Sequence, residues 1–420
     1  MNILWHMPTL RRSCCGLSHR AMRLARELSQ AGHRITFTVT SDKSDVNDHR
    51  IDEFVVEILP AEKKRSLHWA LQSHKRSTAA RRAARHLSIR HDLFISCQPE
   101  MVSAYRQARG SAPVIFVCGG STLLHEPRER EEQSGLGAIR RASFALDRLL
   151  KRRAETRAMH AADAIVFDSR ATRALAISSY GVQPEKCRAV IGGVDDTALS
   201  STADRASIRK SLGLGVDDPI VAWTGRFSPE KNVSLLIRAA ARCTTKPTLL
   251  LVGDGPLREE LCNLCRKLGI AQQVIWPGSV ACVRPFLQAA DVFAFPSTGE
   301  SFGGSLVEAM ACGLPCIALR PNEDLVRTAN AEILDHARTG WLVDSPAEAS
   351  FAFALDYLLG ESNLRQSIGQ AARAIAMREF TWKRAGEELL DVLELFGCRK
   401  PAWKKSRPLE KGHPCVLAST

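Results

Sequence analysis

The segment 296–315, PSTGESFGGSLVEAMACGLP, holds the residues best suited to chemistry. It reads as the end of a buried strand, a glycine-containing loop and a helix over 305–312. Two carboxylates, Glu300 and Glu308, bracket the loop. Such a turn sets backbone N–H groups and a helix N-terminus at the carboxyl end of a parallel sheet, where anions bind. Glu308 falls within about the first turn of the expected helix, where the positive end of the helix dipole tolerates its charge. It can accept from sugar hydroxyls while the N–H groups hold phosphate. Glu300 precedes the helix and can face a second group. An anion cradle flanked by two hydroxyl acceptors suits a nucleotide-sugar better than a bare nucleotide.

Three further loops carry groups that suit a diphosphate. After a strand expected at 220–224 comes Gly225-Arg226-Phe227-Ser228-Pro229-Glu230-Lys231-Asn232. Glycine lets backbone approach a ligand. Arg226 offers a flat fork and Lys231 a point charge, the two kinds of cation that phosphates need. After a strand at 248–252 comes Gly253-Asp254-Gly255-Pro256, read as a tight turn. After a strand at 274–276 comes Pro277-Gly278-Ser279-Val280, which with Trp276 could cover a base. Singly, these are a turn, a solvated loop and a pair of helix-cap acids. In consecutive β-α units at one sheet edge they form a site.

The elements that must position these loops follow from periodicity. Residues 2–6 are apolar enough for a buried strand. Leu17, Ala21, Leu24, Ala25 and Leu28 recur at helical spacing, Gly32 stops that helix, and Ile35, Phe37 and Val39 alternate as a strand. Further strands are expected at 93–97, 114–118, 164–168 and 189–191. The stretch 192–219, with a serine-rich segment, reads as a junction. The alternation then restarts: strands at 220–224, 248–252, 274–276, 292–295, 316–319 and 340–343, a helix after Asn232 as N-cap, and helices over 347–359 and 364–379. The fold class is α/β, two doubly wound parallel-sheet domains divided near residue 200.

With 420 residues either half can bury a core. No apolar run approaches the ~20 residues that cross a bilayer, and the N-terminus lacks the order of a signal peptide, so a cytoplasmic location is expected. The thirteen cysteines are scattered. Cys262 and Cys265 form a C-x-x-C within an amphipathic helix with no second pair at zinc spacing, so reduced, packed thiols and no metal are expected. The net charge of +13 concentrates in three clusters: 63–90, 140–157 and the tail beyond 398. A solvated basic face and contact with an anionic membrane surface are the two readings; the second makes the protein peripheral at the inner face of the cytoplasmic membrane. No nucleic-acid motif is visible, so no nucleic-acid partner is expected.

GRFSPEKN, LLLVGDGPLREEL and the two glutamates of the 300–308 loop together resemble the retaining GT-B glycosyltransferases of glycosyltransferase family 4, most strongly over 220–345. The resemblance implies two Rossmann-like domains facing across a cleft. The first (1–200) takes a saccharide or glycolipid acceptor and the second (201–380) a nucleotide-diphosphate sugar donor. A helix over 381–397 crosses back to the first domain, and a basic tail (398–420) follows. Residue by residue, it implies that Arg226 and Lys231 neutralise the diphosphate and that Glu300 contacts the donor sugar. It places Gly225, Gly253, Val280, Phe302 and Gly303 around the donor. N–H groups near Gly304, Ser305 and Leu306 cap the β-phosphate, and Glu308 holds the ribose hydroxyls. No obligatory cofactor is implied.

The first half departs from the family pattern. Arg11-Arg12-Ser13-Cys14-Cys15-Gly16 stands where a Gly-Gly pair is usual, and Cys118-Gly119-Gly120 where a histidine is often found; nearby His125 reads as a loop residue. Residues 320–331 look like a small insertion. The expected activity is transfer of a sugar to a hydroxyl of a glycolipid or surface polysaccharide precursor. A nucleotide-sugar epimerase and a non-catalytic binding protein of the same fold are the alternatives. No single side chain specifies the nucleobase, sugar, acceptor or linkage.

Overall fold

The computed structural model describes residues 1–10, 16–40, 50–59, 72–85, 87, 90–108, 110–119, 124, 138–194, 204–322 and 324–397. Two parallel sheets organise them. The first contains β1 (Asn2–Met7), β2 (Arg34–Val39), β3 (Arg50–Ile51), β4 (Phe54–Ile58), β5 (Leu93–Ser96), β6 (Val114–Cys118), β7 (Ala164–Phe167) and β8 (Cys187–Ala189). Their order is β3-β4-β2-β1-β5-β6-β7-β8, and only the β3–β4 pair is antiparallel. The second contains β9 (Ile220–Arg226), β10 (Thr248–Asp254), β11 (Val274–Gly278), β12 (Val292–Phe295), β14 (Cys316–Leu319) and β16 (Trp341–Val343), in the order β11-β10-β9-β12-β14-β16. Between them in sequence, β13 (Gly299–Glu300) and β15 (Arg327–Thr328) pair separately.

Each sheet is buried on both faces because its strands are apolar at nearly every position. In the first sheet Ile3, Trp5 and Met7 face the Gly16–Gln30 helix, while Leu4, Phe94 and Phe116 face the helices Pro99–Gln107 and Ala138–Ala161. In the second, Val221, Trp223, Leu249 and Leu251 pack on Val233–Arg242 and Glu348–Gly360. Ala222, Leu250, Phe293 and Phe295 pack on Gly304–Ala311 and Ser362–Glu379.

The chain passes between the sheets twice at one place. Going out, Val194 donates its N–H to Phe380 O (3.0 Å), and Val194 pairs with Thr381 in a parallel bridge on the way back. Gly193 allows this contact: a Cβ there would lie 2.3 Å from the Thr381 carbonyl carbon. The Trp382–Glu394 helix, capped by Thr381, then buries Ala385, Leu389, Val392 and Leu393 in the first sheet's core.

Several expected elements shift for physical reasons. The β3–β4 hairpin was not anticipated; it adds an edge to the first sheet through β2. The strand expected at 189–191 lies at Cys187–Ala189, where it registers with β7. The 253–256 segment is not a free turn. β9 and β10 run on through their glycines, and Gly253 pairs with Gly225. Asn232 occupies the cap position of its helix, but in the left-handed region (φ 49°) and without a capping side chain. The 320–331 insertion contributes β15. Cys14, Cys15, Gly120, His125 and the tail lie outside the described residues.

Gly253 tests this packing. Its φ is +138°, and a Cβ would fall 1.8 Å from Gly225 O. Replacement by alanine adds overpacking to backbone strain, so Gly253→Ala is expected to cost roughly 2–6 kcal/mol in urea unfolding. Gly304→Ala, whose Cβ meets nothing within 4 Å, should change stability by about 0.5 kcal/mol or less.

Candidate active site

The carboxyl ends of β9, β10 and β12 gather the candidate residues. Arg226 ends β9, is exposed, and its guanidinium has no hydrogen-bond or ion-pair partner among the described residues. The Pro229–Lys231 turn follows. The Thr298 N–H donates to Glu230 O (2.9 Å) and the Phe227 N–H to Asp254 O (3.0 Å), so the loops after all three strands are fastened together. Across the join, Lys231 Nζ pairs with Glu300 Oε2, both side chains about one-fifth exposed. The pairing holds the ammonium in place.

Glu300 is itself braced. It belongs to β13, which pairs with β15, and the Arg327 N–H donates to Thr298 O (2.8 Å). The insertion therefore supports the glutamate loop. Gly303 then takes φ 100°, ψ 53°, a conformation that glycine adopts without strain, and opens the Gly304–Ala311 helix. The N–H groups of Leu306 and Val307 both donate to Gly303 O, at 3.0 and 3.2 Å. The N–H groups of Gly304 and Ser305 have no acceptor among the described residues, and Gly304 faces open space. The anion cradle thus narrows to those two amides plus the helix dipole.

Glu308 lies in the second turn, not the first, because the helix begins at Gly304. The dipole does not explain it. Its side chain is exposed at its tip, while the protein packed around it disfavours the charged form and pushes its carboxyl up to about 7. It has no hydrogen-bond or ion-pair partner among the described residues. A carboxylate kept dear in this way is available to ligand hydroxyls.

Three sequence-selected residues serve packing. Leu306 is fully buried and its amide is already committed, which removes it from the cradle. Phe302 is buried against Gly192 and lies edge-on to Phe380 at 6.0 Å, so its ring fills the domain junction. Gly253 is required by its approach to Gly225. Gly225 and half-buried Val280 stay at the sheet edge, and Trp276 packs edge-on to Phe227 at 5.5 Å.

The first domain closes on the same loop with residues that sequence reasoning missed. Ser301 Oγ lies 3.1 Å from Asp168 Oδ2 and 3.0 Å from Gly119 O. Thr172 Oγ1 donates to Ser301 O (3.2 Å). Arg20 Nε sits 3.2 Å from Asp168 Oδ1. Burial raises the Asp168 carboxyl, opposed by Arg20 and Ser301. Of these, only the strand-end position of Asp168 was visible in sequence. Next to Gly119, at the ends of β5 and β6, a cavity of about 310 Å³ is lined by Leu17, Pro99, Glu100, Lys151 and Glu155. It is large enough for a sugar ring. Among the described residues no cluster of His, Cys, Asp or Glu could hold a metal ion. Cys265 is buried, its thiol pushed up to about 11.

The Glu308 environment makes a signed prediction. Its folded carboxyl titrates near 7 and its unfolded one near 4.5. Stability contributed by the protonated form is complete below the unfolded value and is lost as pH rises through the folded one. Glu308→Gln should therefore raise the melting temperature at pH 8, with the gain shrinking towards pH 4.5.

Comparison with known proteins shows what each half of the chain resembles. The family model Glycosyltransferase Family 4 matches residues 15–198, and the model Glycosyl transferases group 1 matches 204–375. A D-inositol 3-phosphate glycosyltransferase of Jonesia denitrificans is 32% identical over 230 residues, 51% of this chain and 53% of that protein. An alpha-maltose-1-phosphate synthase of Mycolicibacterium smegmatis is 29% identical over 255 residues, 57% and 64% of the two chains. The chain thus spans between half and two thirds of the length of these relatives. Among solved structures, Anabaena HepE in complex with UDP and glucose superimposes with a TM-score of 0.71 at 21% identity, covering 93% of this chain and 99% of that one. WaaG, a glycosyltransferase involved in lipopolysaccharide biosynthesis, gives 0.72 at 18% identity, covering 93% and 99%. At such identities the likeness establishes the fold. The two halves of the chain thus each resemble a glycosyltransferase family model, and the fold is that of the two-domain GT-B structures.

Proposed function

We propose that the protein is a retaining glycosyltransferase that moves a hexose-type sugar from a nucleotide-diphosphate sugar to a hydroxyl acceptor. One observation carries this reading. Arg226 and the carboxylate of Glu308, which have no partner among the described residues, share one sheet edge with a Lys231–Glu300 pair and the amides of Gly304 and Ser305, which have no acceptor among the described residues. Arg226, Lys231 and the two amides neutralise the diphosphate. They act most strongly on the oxygen where charge develops as the sugar departs, each fixed donor being worth ~3 kcal/mol. Glu308 accepts from the ribose hydroxyls. Glu300 orients Lys231 and reaches the donor sugar. The base lies beside Val280 and Gly225, and uridine is the preferred base by likeness to the UDP-bound neighbour. The acceptor enters the first-domain cavity beside Gly119. Its hydroxyl attacks from the leaving-group face and passes its proton to a phosphate oxygen, which keeps the anomeric configuration.

The acceptor we favour is a glycolipid or surface polysaccharide precursor at an anionic membrane surface. Support comes from the Ala138–Ala161 helix, where exposed Leu146 and Leu149 stand on the same helix as exposed Arg152, Arg153 and Arg157. No helix among the described residues is long and apolar enough to cross a membrane. A surface helix of this composition can rest on anionic lipid, each cation contributing ~1 kcal/mol.

A thermal-shift panel of nucleotides and nucleotide-sugars should show selective stabilisation by one donor. With that donor, Lys231→Ala should lower kcat/KM by about 100-fold or more. Unchanged turnover in this variant would end the reading, and product formed without acceptor would favour the epimerase. Separately, the protein should co-sediment with anionic liposomes at low salt and release as ionic strength rises; indifference to them removes the membrane part alone.

A further inference from the structure

We propose that Ser301 is a positioning residue through which the first domain, by way of Asp168 and Arg20, sets the geometry of the Glu300 loop, so that the donor site is complete only while the domains are closed on each other. This rests on the donor reading above and adds residues outside the phosphate loops.

Ser301 stands between Glu300, which pairs with Lys231, and Phe302-Gly303, which starts the cradle helix. Its side-chain hydroxyl has one proton and two acceptors, Asp168 Oδ2 at 3.1 Å and Gly119 O at 3.0 Å. Its carbonyl accepts from Thr172 Oγ1 at 3.2 Å. All three partners belong to the first sheet's loops: Gly119 follows β6, Asp168 follows β7, and Thr172 lies in the first turn of the Arg170–Tyr180 helix. The second domain holds the loop elsewhere, through Lys231 and through β15. The cradle's approach is therefore set partly by the other domain.

Asp168 is a firm anchor. Arg20 Nε lies 3.2 Å from it, both side chains are 8% exposed, and the Arg20 guanidinium also donates to Val190 O, just before the outgoing crossing. In so dry a site the Arg20–Asp168 ion pair is less screened than at the surface, and the Ser301 hydroxyl bonds to the same carboxylate. The neighbouring contacts share this interface. Phe302 would meet any Cβ at Gly192 within 3.0 Å. The Glu332 carboxylate accepts the N–H groups of Arg170 (2.9 Å) and Ala171 (3.1 Å), capping a first-domain helix from the second domain. Separating the domains releases Ser301, Phe302 and Glu332 together, and frees the segment that carries Glu300 into the cradle.

Hydrogen–deuterium exchange of the full chain, without any ligand, reads this directly. Ser301→Ala should speed exchange in the 299–308 peptide about fivefold or more while the rest of the second sheet is unchanged. Ser301→Thr, which keeps the hydroxyl, should restore most of the protection. Asp168→Asn combined with Ser301→Ala should add little to Ser301→Ala. With UDP-glucose as probe, Ser301→Ala should lower kcat about tenfold and leave KM within about twofold, and Ser301→Thr should recover it. Wild-type exchange in Ser301→Ala, faster exchange throughout the domain, or failure of threonine to rescue overturns the proposal. A wild-type protein inactive on UDP-glucose counts against that donor, and the exchange result then decides the role of Ser301.

Discussion

The cleft exists because the chain crosses between its two sheets twice at a single point. Domains joined by one linker move freely by default. Here the outgoing strand end and the returning segment bond to each other, Val194 to Phe380 and Thr381, and Gly193 lets their backbones touch. The last helix then becomes part of the first sheet's core. This double crossing ties the two domains together at one place. It brings the carboxyl ends of both sheets to the same interface, where Ser301 meets Asp168 and Gly119.

In the proposed reading the donor side works by arranging charge. A parallel sheet with helices behind it directs backbone donors toward its carboxyl edge. The second domain adds two cations, one without a partner among the described residues and one kept in place by Glu300. It also holds a carboxylate whose ionisation is resisted by its surroundings. In the proposed reading Glu308 is the group that receives the ligand's hydroxyls. Such an arrangement trades stability for a site that does not need to reorganise.

The first domain departs from the family pattern that the motifs imply. Where a histidine is often expected, the backbone of Gly119 reaches Ser301 instead. Beside it lies a cavity walled by both carboxylate and lysine side chains. The insertion at 320–331 is likewise structural in effect, since it provides β15 to brace Glu300.

The sequence alone determined the α/β class, the order of the buried strands and the four loops at the second sheet's edge. Strand periodicity, glycine spacing and phosphate-matched cations are local signals, and local signals survive in a linear string. It also pointed to Arg226, Lys231, Glu300, Gly304, Ser305 and Glu308, which do lie on that edge. Other decisions belonged to the tertiary structure. Leu306 and Phe302 read as ligand contacts until the fold committed one amide to Gly303 and buried the other's ring at the junction. Gly253 read as a turn until β10 brought it against Gly225. Arg20, Asp168 and Ser301 are 281 positions apart from first to last by their numbers, and nothing in their spacing says that they touch. A contact between domains depends on how two separately folded sheets are set against each other, and that is fixed by packing at the crossing and not by any run of neighbouring residues.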